Sequence, residues 1–99
     1  MRPIHLAHLG KTRPVLILTR ELVRPHMSRV TVAPVTSKIR GLSTEVPVGP
    51  RNGLDQDGVV NCDNIVTVPT ATLGQLVGHL FPAQEAALSA AIHAAFDLD

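Results

Sequence analysis

Two short runs of β-branched and aliphatic residues, each with polar side chains at one end, constrain the fold most. The first lies between Arg13 and Thr19, and the second, Val30–Val35, comes directly before Thr36. β-branched residues favour strands, and the continuous apolar character of the first run is typical of a strand buried on both faces. The chain is therefore predicted to be organised around these two strands.

The polar ends of the two strands indicate a phosphate site. If the strands pair antiparallel, the start of one lies beside the end of the other, and Arg13 comes close to Thr36 and Ser37. A planar guanidinium beside hydroxyl groups suits a phosphate group, which points to the backbone of a nucleic acid. The alternative stays open at this stage: Arg13 as a solvated residue after a turn, and Thr36-Ser37 as an ordinary turn.

Turn residues divide the rest of the chain into further short strands. We expect strands over residues 4–9, 15–19, 29–35, 43–48, 59–60, 65–68 and 76–80, with a tight turn over 10–12. Pro34 suggests an edge position or the end of its strand, because proline has no N–H to donate to a neighbour.

A single helix is predicted from Pro82 onwards. Leu88, Ile92 and Phe96 repeat every four residues, and a polar stripe separates from them at Glu85, Ser89, His93 and Asp97. Short strands followed by one helix predict a small barrel or strongly bent sheet; a two-layer α+β sandwich is the alternative. The alanines of this helix would also permit packing across a dimer.

Length and composition predict one domain over residues 1–99. Phe81 and Phe96 are the only aromatic residues, so the core must be aliphatic. The single cysteine, Cys62, cannot form an internal disulfide, which favours a reducing cytoplasm. We expect no signal peptide and no membrane association, since the longest apolar run is far shorter than a bilayer span.

Charge is divided unevenly along the chain. All nine Lys and Arg lie in residues 1–51 with two acids, a net charge of +7, whereas residues 52–99 hold six acids and no Lys or Arg. Such asymmetry can mark a basic face for nucleic acid or for an acidic partner, although it is also compatible with an ordinary surface.

No metal site or cofactor is expected. His5 and His8 lie three apart on a strand and should face opposite sides, and Cys62, Asp63 and His79 have no recognised ligand spacing. The amide of Asn64 could read the edge of a base, or it could simply belong to a turn between two strands.

Several segments taken in order resemble the MazF/PemK family of toxin–antitoxin endoribonucleases. They are Arg13-Pro14 with the apolar strand after it, Val32-Ala33-Pro34-Val35-Thr36-Ser37, Glu45-Val46-Pro47-Val48, residues 59–68 and the helix from Pro82. The chain differs from the family in its first strand, in the short connection Gly10-Lys11-Thr12, and at Asn64, where the family more often has Gln.

The resemblance implies an SH3-like small barrel of the CcdB/MazF type with a C-terminal helix, forming a homodimer. It implies metal-independent, sequence-specific cleavage of single-stranded RNA through attack by the ribose 2′-hydroxyl. The substrate would be messenger RNA, with transfer and ribosomal RNA as further candidates. Two alternatives are a CcdB-like toxin that binds DNA gyrase without catalysis and an SH3-like binding module.

On this resemblance, Arg13 and Thr36 are expected to be catalytic, and His8 is a candidate general base. The expected RNA-binding residues are Lys11, Ser37, Lys38, Arg40 and Asn64. The resemblance also implies a cognate antitoxin as the protein partner.

Overall fold

The computed structural model describes residues 1–98, and it begins with a long hairpin that turns at one glycine. Strand β1 (Arg2–Leu9) pairs antiparallel with β2 (Lys11–Ile17), from Leu9 opposite Lys11 to Ile4 opposite Leu16. Gly10 has φ +85°, a conformation that glycine adopts without strain. The predicted turn over 10–12 is therefore wrong in extent: Lys11 and Thr12 belong to β2, because the chain reverses at Gly10 alone.

Strand β3 (Arg29–Thr36) is central and changes partner along its length. It pairs with β2 on one side; elsewhere Arg29–Val32 pair with β6 (Val66–Pro69), and Val35–Thr36 pair with β5 (Gly58–Asn61). Pro34 lies between these two segments of β3, after the residues paired with β6 and before those paired with β5. The prediction of an edge position for Pro34 is wrong, because this gap tolerates a missing N–H inside a central strand.

The remaining strands extend the sheet on both sides. Strand β4 (Glu45–Val48) pairs with β5, and β7 (Leu73–Leu80) pairs with β1, giving the order β4-β5-β3-β2-β1-β7 with β6 beside β3. All seven predicted strands are present with shifted boundaries, and the prediction of a mostly β fold with a C-terminal helix is confirmed.

The core has two parts, and β2 contributes to both. Leu16 packs into the larger cluster with the helix residues Leu88 and Ala91, whereas Val15 and Ile17 pack into a second cluster on the opposite face. The prediction that this strand is buried on both faces is thus confirmed. Strand β2 is held in place from two sides, which fixes the position of Arg13 at its polar end.

Helix α1 (Glu85–Ala95) begins one turn later than predicted, after a 3-10 turn at Pro82–Gln84. Leu88 and Ala91 are buried, but Phe96 is 56% exposed and Asp97 has φ +55°. The predicted stripe through Phe96 and Asp97 is wrong because the helix ends at Ala95. Within residues 1–98, no helix is both long and apolar enough to cross a membrane.

Candidate nucleic-acid cleavage site

The pairing of β2 with β3 brings the two predicted catalytic residues together. Val15 lies opposite Pro34 and Leu16 opposite Ala33, so the same register carried two residues further sets Arg13 against Thr36. Both side chains line the same two clefts. The expected proximity of Arg13 and Thr36 is confirmed by these shared linings, just beyond the last paired residues of β2 and β3.

The side chain of Arg13 is half-buried between the two clefts. Its Nε is buried, and it has no hydrogen-bond partner among the described residues. Among the described residues, the Arg13 side chain also forms no ion pair. Because the side chain lines both clefts, its guanidinium could pair with an anion there.

The hydroxyl of Thr36 is oriented by the backbone that follows it. Its Oγ1 accepts a hydrogen bond from the N–H of Lys38, at 3.1 Å. Because this bond uses a lone pair of the oxygen, the hydroxyl proton remains free to be donated to a ligand. Arg13 and Thr36 thus present donors beside one another, as a phosphate group requires.

The first cleft, which we call the basic cleft, has a volume of about 390 Å³. Three cations and two carboxylates line it together with two asparagines, a threonine and apolar groups: Arg13, Pro34, Thr36, Lys38, Arg40, Leu42, Glu45, Asn61, Asp63 and Asn64. The net positive charge of the lining suits the phosphates of a nucleic acid.

A 3-10 turn at Cys62–Asn64 follows β5 directly, and its residues Asp63 and Asn64 form one wall of the basic cleft. The Asn61 side chain accepts from the N–H of Asp63 at 2.9 Å, and the Thr44 hydroxyl donates to the Asp63 carboxylate at 2.6 Å. These bonds hold the turn, and Asn64 lies exposed at the cleft.

Cys62 forms the inner side of this turn and is 1% exposed. Burial, reinforced by the negative charge of Asp63, raises the pKa of its thiol to about 11. The thiol is therefore protonated near neutrality and acts as a packing group.

The second cleft, which we call the mixed cleft, has a volume of about 300 Å³ and lies on the other side of Arg13. Two cations and two carboxylates line it: Lys11 and Arg13, with Pro14, Val35, Thr36, Ser37, Leu54, Asp55, Gln56, Asp57 and Gly58. A Cβ on Gly58 would lie 2.6 Å from the Thr36 carbonyl oxygen, so glycine is needed for β5 to approach β3 here.

The structure distributes the predicted RNA-binding residues between the two clefts. Lys11 and Ser37 line the mixed cleft, whereas Lys38, Arg40 and Asn64 line the basic cleft. His8 lines neither: its Nδ1 lies 2.9 Å from Oγ1 of Thr12 on the neighbouring strand. The arrangement gives no support to His8 as a base.

Sequence reasoning missed several residues that the fold brings to the site. Glu45, Asn61 and Asp63 reach the basic cleft from β4, β5 and the turn after it, and Asp55 and Gln56 reach the mixed cleft. The Asn61-x-Asp63 spacing could have predicted this turn, because an Asn side chain often accepts a hydrogen bond from the backbone N–H two residues later. Among the described residues, no group of three or more His, Cys, Asp or Glu could hold a metal ion.

A larger cavity of about 530 Å³ lies behind the mixed cleft, and the two share Asp57 and Gly58. Ile39, Pro47, Pro50 and Phe81 give it a mainly apolar wall. An apolar wall suits a polyanion less well than the two clefts lined by Arg13 and Thr36 do.

Comparisons with known proteins identify the family of this chain. Residues 3–96 match the family of PemK-like, MazF-like toxins of type II toxin–antitoxin systems. Endoribonuclease MazF3 of Mycobacterium tuberculosis is 62% identical over 99 residues, which is 100% of this chain and 96% of that protein.

Two solved structures bear on the fold and on its partners. The M. tuberculosis toxin MazF-mt6 superposes with a TM-score of 0.97 at 61% identity, covering 99% of each chain. A mycobacterial endoribonuclease in complex with its cognate antitoxin superposes with a TM-score of 0.86 at 28% identity, covering 98% of this chain and 93% of that one.

Proposed function

Since the chain belongs to the PemK-like, MazF-like toxins of type II toxin–antitoxin systems and is an endoribonuclease of that family, we propose that it cuts single-stranded RNA between the two clefts. The scissile phosphate would lie against Arg13 and Thr36. The observation that carries this proposal is that the Arg13 side chain, which forms no ion pair among the described residues, lines the same two clefts as a hydroxyl whose proton is free.

In the proposed reaction the attacking oxygen comes from the RNA itself, so no protein atom enters the product. The ribose 2′-oxygen loses its proton and bonds to phosphorus, and the 5′-oxygen departs with the electron pair and gains a proton. The products are a 2′,3′-cyclic phosphate and a 5′-hydroxyl. Negative charge grows on the non-bridging oxygens during the attack, and donors aimed at such charge give the largest catalytic effects.

Arg13 is assigned chiefly to the stabilisation of this charge. Its guanidinium can hold two phosphate oxygens at once, and its high pKa makes it a poor base. Thr36 donates its free proton to a phosphate oxygen or orients the 2′-hydroxyl. These donors would meet the charge directly, and the resemblance to the family implies that the reaction is independent of metal ions.

The two clefts divide the RNA strand on either side of the cut. Lys38 and Arg40 would hold phosphates in the basic cleft, with Asn64 at a base edge, while Lys11 and Ser37 would contact the strand in the mixed cleft. This division supplies affinity from phosphates and selectivity from bases.

One experiment tests the reaction and its class together. The protein is incubated with mixed-sequence single-stranded RNA in excess EDTA, and product ends are identified by mass spectrometry. We expect 2′,3′-cyclic phosphate ends from the wild type and none from Arg13→Ala. Intact RNA with tight binding to DNA gyrase would instead support a non-enzymatic toxin.

We propose a cognate antitoxin and a second copy of this chain as protein partners, acting in the cytoplasm. The antitoxin complex of the mycobacterial relative supports the first. An acidic antitoxin segment should compete with RNA for the basic cleft, and simultaneous unweakened binding of both would refute this.

The exposed alanines of α1 support a homodimer. A mass of 10.6 kDa, that of a single chain, by light scattering at micromolar concentration would refute it.

A further inference from the structure

One carboxylate holds the loop between β3 and β4. Oε1 of Glu45, the first residue of β4, accepts hydrogen bonds from the backbone N–H groups of Arg40 at 3.2 Å, Gly41 at 2.9 Å and Leu42 at 3.2 Å. The N–H of Glu45 donates in turn to the Leu42 carbonyl at 3.1 Å. Hydrogen bonds to an ionised acceptor are among the stronger ones in proteins, so this contact fixes the loop.

Gly41 makes the arrangement possible. Its φ of +75° lies in the left-handed region, where residues with a Cβ are strained. This conformation lets consecutive N–H groups converge on one carboxylate, as in the anion-binding concavities that short backbone segments form.

The same loop supplies the cations of the basic cleft. Lys38 and Arg40 both line it, and the loop is anchored at its start by the Lys38 N–H bond to Thr36. Glu45 anchors the other end. The two anchors together determine where these cations lie relative to Arg13.

Coulomb interactions alone would make Glu45 unfavourable for an RNA-binding cleft, because a carboxylate there repels phosphate. We infer that Glu45 is a positioning residue: it holds the loop 38–42 in the arrangement that presents Lys38 and Arg40 to the RNA backbone. This inference rests on the proposed function of the cleft. It predicts that removal of the negative charge weakens RNA binding, the opposite of the electrostatic expectation.

The test measures binding of the Glu45→Gln variant to a mixed-sequence, 2′-fluoro single-stranded oligonucleotide, which lacks the attacking hydroxyl. If the competent loop falls to about one tenth of the population, the apparent Kd rises about tenfold. Glu21→Gln makes the same charge change on a side chain that is 84% exposed in the loop between β2 and β3, and its Kd should stay within about twofold of the wild type. Circular dichroism verifies folding.

Three further measurements separate positioning from general destabilisation. Amide exchange at residues 40–42 should accelerate in Glu45→Gln while exchange within β2 and β3 is unchanged. Gly41→Ala, which strains the loop and keeps the carboxylate, should weaken binding similarly. In a Lys38→Ala/Arg40→Ala background, Glu45→Gln should change Kd little, because the cations that it positions are gone.

The outcomes distinguish this inference from the proposed function. If the wild type neither binds nor cleaves RNA, the proposed function fails. If the wild type cleaves RNA but Glu45→Gln binds the oligonucleotide as tightly as the wild type or more tightly, the inference alone is overturned. Equal weakening of binding by Glu45→Gln in the wild-type and Lys38→Ala/Arg40→Ala backgrounds would also overturn it.

Discussion

The two clefts that meet at Arg13 differ in how their charges are arranged. In the basic cleft, three cations face two carboxylates, and both carboxylates are bonded to the protein: Glu45 to backbone N–H groups and Asp63 to the Thr44 hydroxyl. In the mixed cleft, the cations Lys11 and Arg13 face Asp55 and Asp57, which are both exposed. The basic cleft can therefore neutralise phosphates, whereas the mixed cleft has no excess of positive charge.

This contrast corrects a simple interpretation of charge along the chain. Three of the six acidic residues in the second half of the sequence, Asp55, Asp57 and Asp63, lie in the same clefts as the cations of the basic first half. The net charge of each segment thus indicates a polyanionic partner. Which cleft the partner binds depends on which carboxylates are already hydrogen-bonded within the protein.

The largest expected effect belongs to the residue that both clefts share. Arg13→Ala should reduce single-turnover cleavage of mixed-sequence RNA by at least about a hundredfold, since it removes about 3 kcal/mol of charge stabilisation in the transition state. Arg13→Lys should fail as well, because an ammonium cannot hold two oxygens in the same geometry. Wild-type rates in a variant that is folded by circular dichroism would eliminate the site.

Thr36→Ala should reduce the cleavage rate comparably or less. It removes the free hydroxyl proton and also the acceptor for the Lys38 N–H. If Thr36 and Arg13 hold one phosphate, the double variant should be little slower than Arg13→Ala. The test compares the cleavage rates of the wild type, the two single variants and the double variant. If the losses in activation free energy are fully additive, the two residues contact different phosphates.

Salt dependence should distinguish the clefts directly. Lys38→Ala/Arg40→Ala should weaken RNA binding and lower the slope of log K against log salt by about 1.4, close to 0.7 for each lost phosphate contact on a single strand. Lys11→Ala should lower it by no more than about 0.7, because only one cation is lost from the mixed cleft. Equal slopes for the two variants would remove the distinction between the clefts.

The smallest effect concerns Cys62, at the back of the basic cleft. Its pKa is raised to about 11 by burial from the ordinary 9.0, so the folded state holds the proton more tightly than the unfolded state. The resulting stability is fully present below pH 9.0 and is lost as pH rises towards 11, by about 2.7 kcal/mol for a pKa raised from 9.0 to about 11. Denaturant unfolding of the wild type against Cys62→Ala over this pH range should show the difference; parallel pH profiles would contradict it.

The elements predictable from sequence are those determined by local pattern. The apolar runs specified β2 and β3, and antiparallel register then set Arg13 against Thr36. The contributions of Glu45, Asn61 and Asp63 could not be derived in this way, because they depend on how β4 and β5 pair beside the end of β3. Gly58 shows the reason: its role is a close approach to the Thr36 carbonyl, which no local pattern encodes.

The change of partner along β3 has a consequence for how the toxin is made. Arg13, Thr36 and Asn64 come from distant parts of the chain, and β3 acquires its last neighbouring strand only with Val66–Pro69. Contacts of such long sequence separation form late and slowly. A nascent chain that is still emerging from the ribosome lacks the assembled site, so most of this protein must be translated before the site can form.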